Sequence, residues 1–186
     1  MDLRTQRDPW RTPDGTCKSI LDGNEIPDGQ KDWLFEGLLN STAAWKFLIS
    51  SVPFNRTCLK SDGWAAYPDE RQEIVSFIED NSIDGVIVLS ADIHSGGAID
   101  DGHYADLPEL SVPHLNHNLT YPRGCTAEHG CGYWSKGFID GNVERQGLAT
   151  VKIWSGDSDG MILRTDTLAG SEYSLQHQLW HPGVDR

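Results

Sequence analysis

An aspartate and a histidine two residues apart form the pair of side chains in this chain best suited to binding a metal. They follow the short apolar run Val86–Leu89, after which residues 90–94 read Ser-Ala-Asp-Ile-His. Such a run is typical of a strand covered on both faces, although a buried helix gives the same pattern. Side chains two apart in an extended chain point the same way, so Asp92 and His94 are predicted to converge while Ile93 enters the core. A carboxylate and an imidazole together suit a hard or borderline metal ion.

The position of this pair also favours a binding site. Ligands of open α/β sheets collect at the carboxyl ends of strands, and two glycines, Gly96 and Gly97, would let the backbone turn close to a metal or phosphate. The alternative interpretation is an ordinary polar turn, with Asp92 capping the strand and His94 solvated, because Asp-x-His is a short and common pattern.

Length and charge limit the classes of function. The chain has 186 residues, which suits one domain, and its formal net charge is −13. This charge argues against nucleic acid or an anionic membrane as a stable partner, but not against a phosphate ester, since a bound metal can outweigh the overall field. No apolar run approaches the roughly 20 residues of a transmembrane helix, and the first residues contain no secretory signal.

Four cysteines and three glycosylation sequons are typical of an exported protein. We expect a disulfide between Cys125 and Cys131 and a second between Cys17 and Cys58; zinc is the alternative, but the spacings do not fit paired Cys-x-x-Cys. The sequons are Asn40, Asn55 and Asn118. Export without a visible signal would mean that the natural N-terminus lies further upstream.

The pattern of apolar residues predicts an α/β fold that begins βαβαβ and ends in antiparallel strands. The predicted elements are a strand at Met1–Thr5, a helix at Gly29–Leu39 capped by Asp28, a strand at Ala44–Val52, a helix from Pro68 to about Asn81, and the central strand opened by Gly85. Residues 98–146 read as irregular, except for a short strand at Leu110–Val112. The predicted tail strands are Leu148–Trp154, Met161–Thr165 and Tyr173–Leu179.

Four stretches match, in order and spacing, the motifs of one known family. They are Asp2–Arg7, similar to Asp-x-Arg-x-x-Arg; Gln30–Lys46, similar to Gln-x-x-Trp-Leu…Ser-x-Ala-x-Trp-Lys; Asp62–Arg71, similar to Asp-x-Trp-x-Gly-Tyr-x-x-Glu-Arg; and Leu89–His94, similar to Leu-Ser-Gly-Asp-x-His. With these motifs the chain resembles the C-terminal half of the PhoD-type alkaline phosphatases, a branch of the calcineurin-like metallophosphoesterases. It departs at Ala91, where the family has glycine, and this puts the shape of the turn in question.

The resemblance implies the C-terminal part of a four-layer αββα metallophosphoesterase sandwich. Within it, residues 1–97 would be the α/β part, 98–146 a loop-rich insert and 147–180 the antiparallel tail. It implies metal-dependent hydrolysis of phosphate monoesters or diesters in a secreted, periplasmic or cell-surface protein, with calcium and iron as cofactors. Asp92 and His94 correspond to a metal-ligand pair and are the expected catalytic residues, while Arg4 and Arg7 would contact phosphate or form ion pairs.

The family's first metal-binding motifs lie upstream of its Asp-x-Arg-x-x-Arg segment and have no counterpart in this chain. A two-metal site needs ligands from both halves, so we expect a fragment with an incomplete site and little or no turnover of its own. The alternative function is a non-catalytic extracellular interaction module. The substrate, small or polymeric, the metal and the oligomeric state are left open by the sequence.

Overall fold

The computed structural model describes residues 1–8, 19–23, 29–58, 63–94, 96–113, 130–139, 147–155, 160–167 and 174–180. These residues form helices and strands in the following order: α1 (Gln30–Asn40), β1 (Lys46–Ile49), a 3-10 turn (Trp64–Ala66), α2 (Pro68–Asp80), β2 (Val86–Ser90), β3 (Ala98–Asp101), β4 (Pro108–Ser111), β5 (Gly137–Phe138), β6 (Gly147–Trp154), β7 (Gly160–Thr167) and β8 (Ser174–Trp180). No helix in these ranges is long and apolar enough to cross a bilayer.

Two sheets organise the fold. The first has five strands in the order β1-β2-β4-β3-β5, and the second has three in the order β6-β7-β8. β1, β2 and β4 are parallel, whereas β3 runs antiparallel to both β4 and β5. The second sheet is antiparallel throughout. The parallel pairing of β1 with β2 and the antiparallel tail are both confirmed.

Strand β2 lies between two hydrophobic cores. On one face Val86 and Val88 pack with apolar residues of α1 and α2. On the other face Ile87 packs with the second sheet, where Met161 and Leu163 are fully buried. Both faces of β2 are therefore apolar, as expected for a strand in the middle of an α/β sandwich. The predicted α/β class is confirmed, and the described residues stack as a helical layer and two sheets.

The predicted strand at Met1–Thr5 is wrong. The Asp2 carboxylate accepts hydrogen bonds from the Thr5 hydroxyl and from the backbone N–H groups of Thr5 and Arg4, at 3.0 and 2.9 Å for the two N–H groups. Such local bonds compete with a sheet ladder and fold the chain into a turn. The same bonds, led by that from the Thr5 hydroxyl, lower the pKa of Asp2 to about 2. Leu3 is buried and anchors this turn on the helical side of the sheet.

Helix α1 begins one residue later than predicted and is capped from a distant loop. The N-cap position is Gly29, not Asp28, which lies outside the described residues. The Asp22 carboxylate accepts the N–H groups of Gln30 and Lys31, the latter at 2.9 Å. A carboxylate at this end complements the helix dipole, so Asp22 does the work that was assigned to Asp28.

The segment predicted to be an irregular insert contributes three strands to the first sheet. The strand predicted at Leu110–Val112 is β4, shifted toward the N-terminus, and β3 and β5 were missed. In β3 the buried carboxylate of Asp100 accepts the N–H groups of Gly102, Tyr104, Ala105 and Ser135, at 2.9–3.2 Å. A strand built around a buried aspartate lacks the apolar pattern that identifies strands. The predicted strand Ala44–Val52 is real but shorter, as β1.

The cysteines follow the prediction only in part. Cys131 is in a disulfide, and its predicted partner Cys125 lies outside the described residues. Cys58 is a buried thiol, so the predicted Cys17–Cys58 bond is wrong. Asn55 is completely buried and uses its side chain to bond Thr57 and Tyr133, so this sequon does not present an accessible acceptor.

Two adjacent charged residues of α2 are buried and hold loops in place. Glu70 accepts bonds from Ser19 Oγ and from the N–H groups of Ile20 and Leu21. Arg71 donates from Nε to the Phe54 carbonyl at 2.6 Å, and it also bonds the Ala105 carbonyl and the Asp106 carboxylate. Arg71 is thus a buried residue that is ion-paired with Asp106.

Replacing Arg71 with leucine should lower the free energy of unfolding by roughly 2–4 kcal/mol, because two buried carbonyls lose a charged donor. Arg56 is the matched control, since it pairs with the other oxygen of the same Asp106 carboxylate but is 46% exposed. Arg56→Leu should cost about 1 kcal/mol or less. Urea unfolding measures both variants, and equal losses would contradict the role assigned to burial.

Candidate metal centre

The chain turns sharply after β2, and this turn carries the Asp92–His94 pair. Asp92 and His94 have φ angles of 69° and 52°, in the left-handed region. Aspartate and histidine enter this region more readily than most residues, but it still costs about 1 kcal/mol or more at each position. Ala91 does not have a positive φ. Alanine at position 91, where the family has glycine, therefore does not strain the backbone, because the left-handed conformation occurs at Asp92 and His94 instead.

The turn brings three functional groups together. His94 Nε2 lies 3.3 Å from Asp92 Oδ1, and Arg4 Nη2 lies 3.9 Å from Asp92 Oδ2. The side chains of Arg4, Asp92 and His94 are 46%, 32% and 45% exposed, whereas Ile93 is fully buried. The predicted convergence of Asp92 and His94 is confirmed, but its predicted cause is wrong, because β2 ends at Ser90 and the turn, not strand alternation, aligns the pair.

Hydrogen bonds fix the downstream end of the turn. Gly96 N–H donates to the Ile139 carbonyl at 3.1 Å, and Ile139 N–H donates to the Gly97 carbonyl at 2.9 Å. The buried hydroxyl of Thr165, on the second sheet, donates to the Gly96 carbonyl at 2.9 Å. The turn is thus attached both to the segment before position 140 and to β7.

A buried carboxyl lies behind the last residue of β2. Glu109 Oε1 accepts the Ser90 hydroxyl and the Phe54 N–H, while Glu109 Oε2 and Ser111 Oγ have no hydrogen-bond partner in the part of the chain that the structure describes. Burial raises the pKa of Glu109 to about 7, against the bonds from Ser90 and Phe54, which lower it. The nearby Asp100 raises it further. Glu109 is therefore neutral in the fold at mildly acidic pH.

The turn brings together two side chains of the types that bind metal ions, a carboxylate and an imidazole. Within the described ranges, no group of three or more His, Cys, Asp or Glu side chains could hold an ion. Two of the cavities lie at the amino ends of β1 and β2, lined by residues such as Lys46 and Asp84, and do not include Asp92 or His94. The pair at the carboxyl end of β2 is favoured over these two cavities because neither cavity is lined by a histidine.

Comparison with known proteins identifies the family of this chain. The family model for PhoD-like phosphatases matches residues 1–111, more than half of the chain. The chain belongs to the PhoD-like phosphatase family. It is 30% identical over 112 residues to alkaline phosphatase D of Bacillus subtilis strain 168, an alignment that covers 53% of this chain and 19% of that protein.

A solved structure of PhoD matches with a TM-score of 0.50 and 17% sequence identity, over 84% of this chain and 34% of that one. At this identity the match shows the fold alone. It confirms the predicted family architecture. The chain spans about a fifth of the length of the curated relative and about a third of the solved PhoD chain.

The other residues of the PhoD motifs divide between the site and the scaffold. Arg4 lies close to Asp92, as described, whereas Lys46 donates to the Ala43 and Asp84 carbonyls at the opposite end of the sheet and has a structural role. Trp64 is buried and donates from Nε1 to Ser50 Oγ at 3.1 Å. Asp62 lies outside the described residues.

Sequence reasoning missed Glu109 and Thr165. Glu109 had one usable signal, a charged residue inside the Pro-Glu-Leu-Ser strand, where burial makes a carboxyl unusual. Thr165 had none, because its contact with Gly96 spans 69 positions of the sequence.

Gly97→Ala should loosen the turn of this PhoD-like chain. Gly97 has φ 110°, and an added Cβ would overlap the Thr165 hydroxyl. We expect a loss of about 2–4 kcal/mol in the free energy of unfolding. Gly130→Ala is the matched control, since Gly130 has φ 91° but no neighbouring atom within 4 Å; it should lose about 1 kcal/mol. Similar losses in urea unfolding would exclude a special role for the Thr165 contact.

Glu109 should make the protein less stable as the pH rises toward neutrality. The folded state holds the Glu109 proton up to about pH 7, whereas the unfolded chain releases it near the ordinary pKa of 4.5. The free energy of unfolding therefore falls between these two pH values, by on the order of 3 kcal/mol. Glu109→Gln should remove this component and gain stability relative to the natural chain above pH 7. Urea unfolding from pH 4 to 8.5 tests this, with Glu79→Gln as a control for losing one exposed carboxylate; parallel curves for Glu109→Gln and the natural chain would contradict the assignment.

Proposed function

We propose that this chain contributes to a metal-dependent phosphoesterase site, in which Asp92 and His94 bind metal and phosphate monoesters or diesters are hydrolysed. The observation that carries the proposal is the approach of His94 Nε2 to within 3.3 Å of the Asp92 carboxylate on an exposed turn. This turn lies inside the region matched by the PhoD-like family model. Membership of that family supports phosphoester hydrolysis as the reaction class.

The two side chains fit a metal ion in their chemistry. A carboxylate oxygen suits calcium, and a carboxylate with an imidazole suits iron or zinc. Calcium and iron are the ions implied by the family resemblance. Both side chains are accessible to solvent, so an ion can reach them. When bound, such an ion supplies Lewis acidity toward a phosphoryl oxygen. The remaining ligands would come from other parts of the complete protein.

Each residue of the cluster has a separate task in this proposal. Asp92 supplies negative charge for the cation, and His94 must be neutral to offer a ring nitrogen. Arg4 lies 3.9 Å from the second Asp92 oxygen and is half exposed, so its guanidinium can turn toward a phosphate oxygen and hold the ester against the cation. In this arrangement Arg4 would hold the phosphate ester and Asp92 would hold the metal ion.

The net charge limits the kind of partner in this proposal, and the disulfide limits the cellular location. The net charge of −13 disfavours a long polyanion as a stable partner and leaves the local cluster to attract the ester. The disulfide at Cys131 supports an oxidising location, such as the periplasm, cell surface or exterior.

The isolated chain should hydrolyse p-nitrophenyl phosphate poorly with calcium, iron or zinc, because two ligands do not fix an ion and its substrate. In a longer protein that contains these residues, His94→Ala should lower kcat/KM by about 100-fold or more. His103→Ala is the control, since His103 is exposed and stacks edge-on against Tyr104. It follows the end of β3 that pairs with the start of β4, whereas Asp92 follows the carboxyl end of β2. This variant should leave the rate unchanged. Strong turnover by the isolated chain that survives His94→Ala would refute the proposal.

A further inference from the structure

We propose that Ile93 is a positioning residue, and that residues 131–138 with the Cys131 disulfide form a seat that holds the Asp92–His94 turn in shape for binding a metal. The inference rests on the proposed function for the identity of the bound group. It concerns a contact on the buried side of the turn, not the ligands themselves.

The unfavourable backbone conformation of the turn needs a stabilising contact elsewhere in the turn. Asp92 and His94 both occupy the left-handed region, and both side chains face solvent. Such conformations last only where the surroundings determine them. Ile93, the residue between them, is fully buried, so its side chain is the part of the turn that reaches the interior.

Ile93 packs into a small hydrophobic cluster separate from the two main cores. Its buried neighbours are Cys58, Ala98, Cys131 and Trp134, with Phe138 at the side. Cys131 Sγ also lies 3.1 Å from the Ile93 carbonyl oxygen. The disulfide-bonded cysteine therefore touches both the side-chain cluster and the backbone of the turn.

The seat is itself braced. Trp134 donates from Nε1 to the Cys131 carbonyl at 2.9 Å, which closes the seat on itself. Asn55 Nδ2 donates to the Tyr133 carbonyl at 2.7 Å, and Tyr133 N–H donates to Thr57 Oγ1 at 2.8 Å. These bonds attach the seat to the loop after β1, which in turn is tied to α2 through Arg71.

The seat lies outside the part of the chain that the PhoD-like family model matches. That match ends at residue 111, whereas Cys131, Trp134 and Phe138 follow it. The metal ligands and the structure that positions them thus come from different parts of the sequence. Because Cys131 is in a disulfide, the shape of the turn depends on an oxidised thiol pair.

A matched pair of buried isoleucines separates positioning from stability. Ile93 is on the seat, and Ile87 is equally buried on the same strand-and-turn unit but faces the second sheet. Ile93→Ala should weaken zinc binding by the full chain about tenfold or more in calorimetric titration, with Ile93→Val restoring most of it. Ile87→Ala should lower stability without changing zinc affinity. Equal effects of the two alanine variants on zinc affinity would overturn the proposal.

Hydrogen exchange supplies a second measurement that does not depend on a metal. Reduction of the natural chain, or Cys131→Ser, should raise the exchange rates of the amides at 91–97 tenfold or more relative to those of β6–β8. Unchanged exchange rates in the turn would overturn the role of the seat. This test does not require the Ile93→Ala variant to fold. If the natural chain binds zinc and His94→Ala leaves that binding intact, the metal proposal fails, and the exchange experiment decides separately whether the seat holds the turn.

Discussion

The fold depends on burying β2 on both faces. Val86 and Val88 require the helical layer, and Ile87 requires the second sheet. Each such side chain contributes on the order of 2 kcal/mol when it leaves water, so neither covering layer can be lost without exposing a large share of the core. A strand covered in this way can present polar groups only at its ends. The location of Asp92 and His94 follows from this constraint, because the carboxyl end of β2 is where the apolar run stops.

Buried charges connect the loops to this scaffold. Glu70 is hydrogen-bonded to the segment at 19–21, and Arg71 to the loops at 54 and 105–106. Asp100 is hydrogen-bonded to the chain at 102–105 and 135. Each charge is costly to bury, and each is compensated by several hydrogen bonds. Glu109 differs, since one of its oxygens has no partner in the described part of the chain and its pKa is raised. A neutral carboxyl is the form that such an environment favours.

The sequence predicted those features that depend on local pattern. The apolar run of β2, the helix that starts at Pro68 and the alternating tail strands each have the periodicity of one element, and all three were found near their predicted positions. The convergence of Asp92 and His94 was also predicted, but through strand alternation, which the positive φ angles exclude. Features fixed by distant contacts were missed: Asp22 caps α1 across eight positions, and Thr165 holds Gly96 across 69. No periodicity records such contacts, because they exist only after the chain has folded.

The relation between strain and burial explains how a short motif can specify a site. A motif such as Asp-x-His carries little information, since it occurs often and its two polar residues would be solvated in most loops. Here the middle residue is isoleucine, and its complete burial sets the direction of the turn. The unfavourable left-handed angles at Asp92 and His94 are offset by the transfer of one large apolar side chain from water. The polar residues then face outward together because the residue between them faces inward. The orientation of Asp92 and His94 is thus determined by the packing of the apolar residue between them.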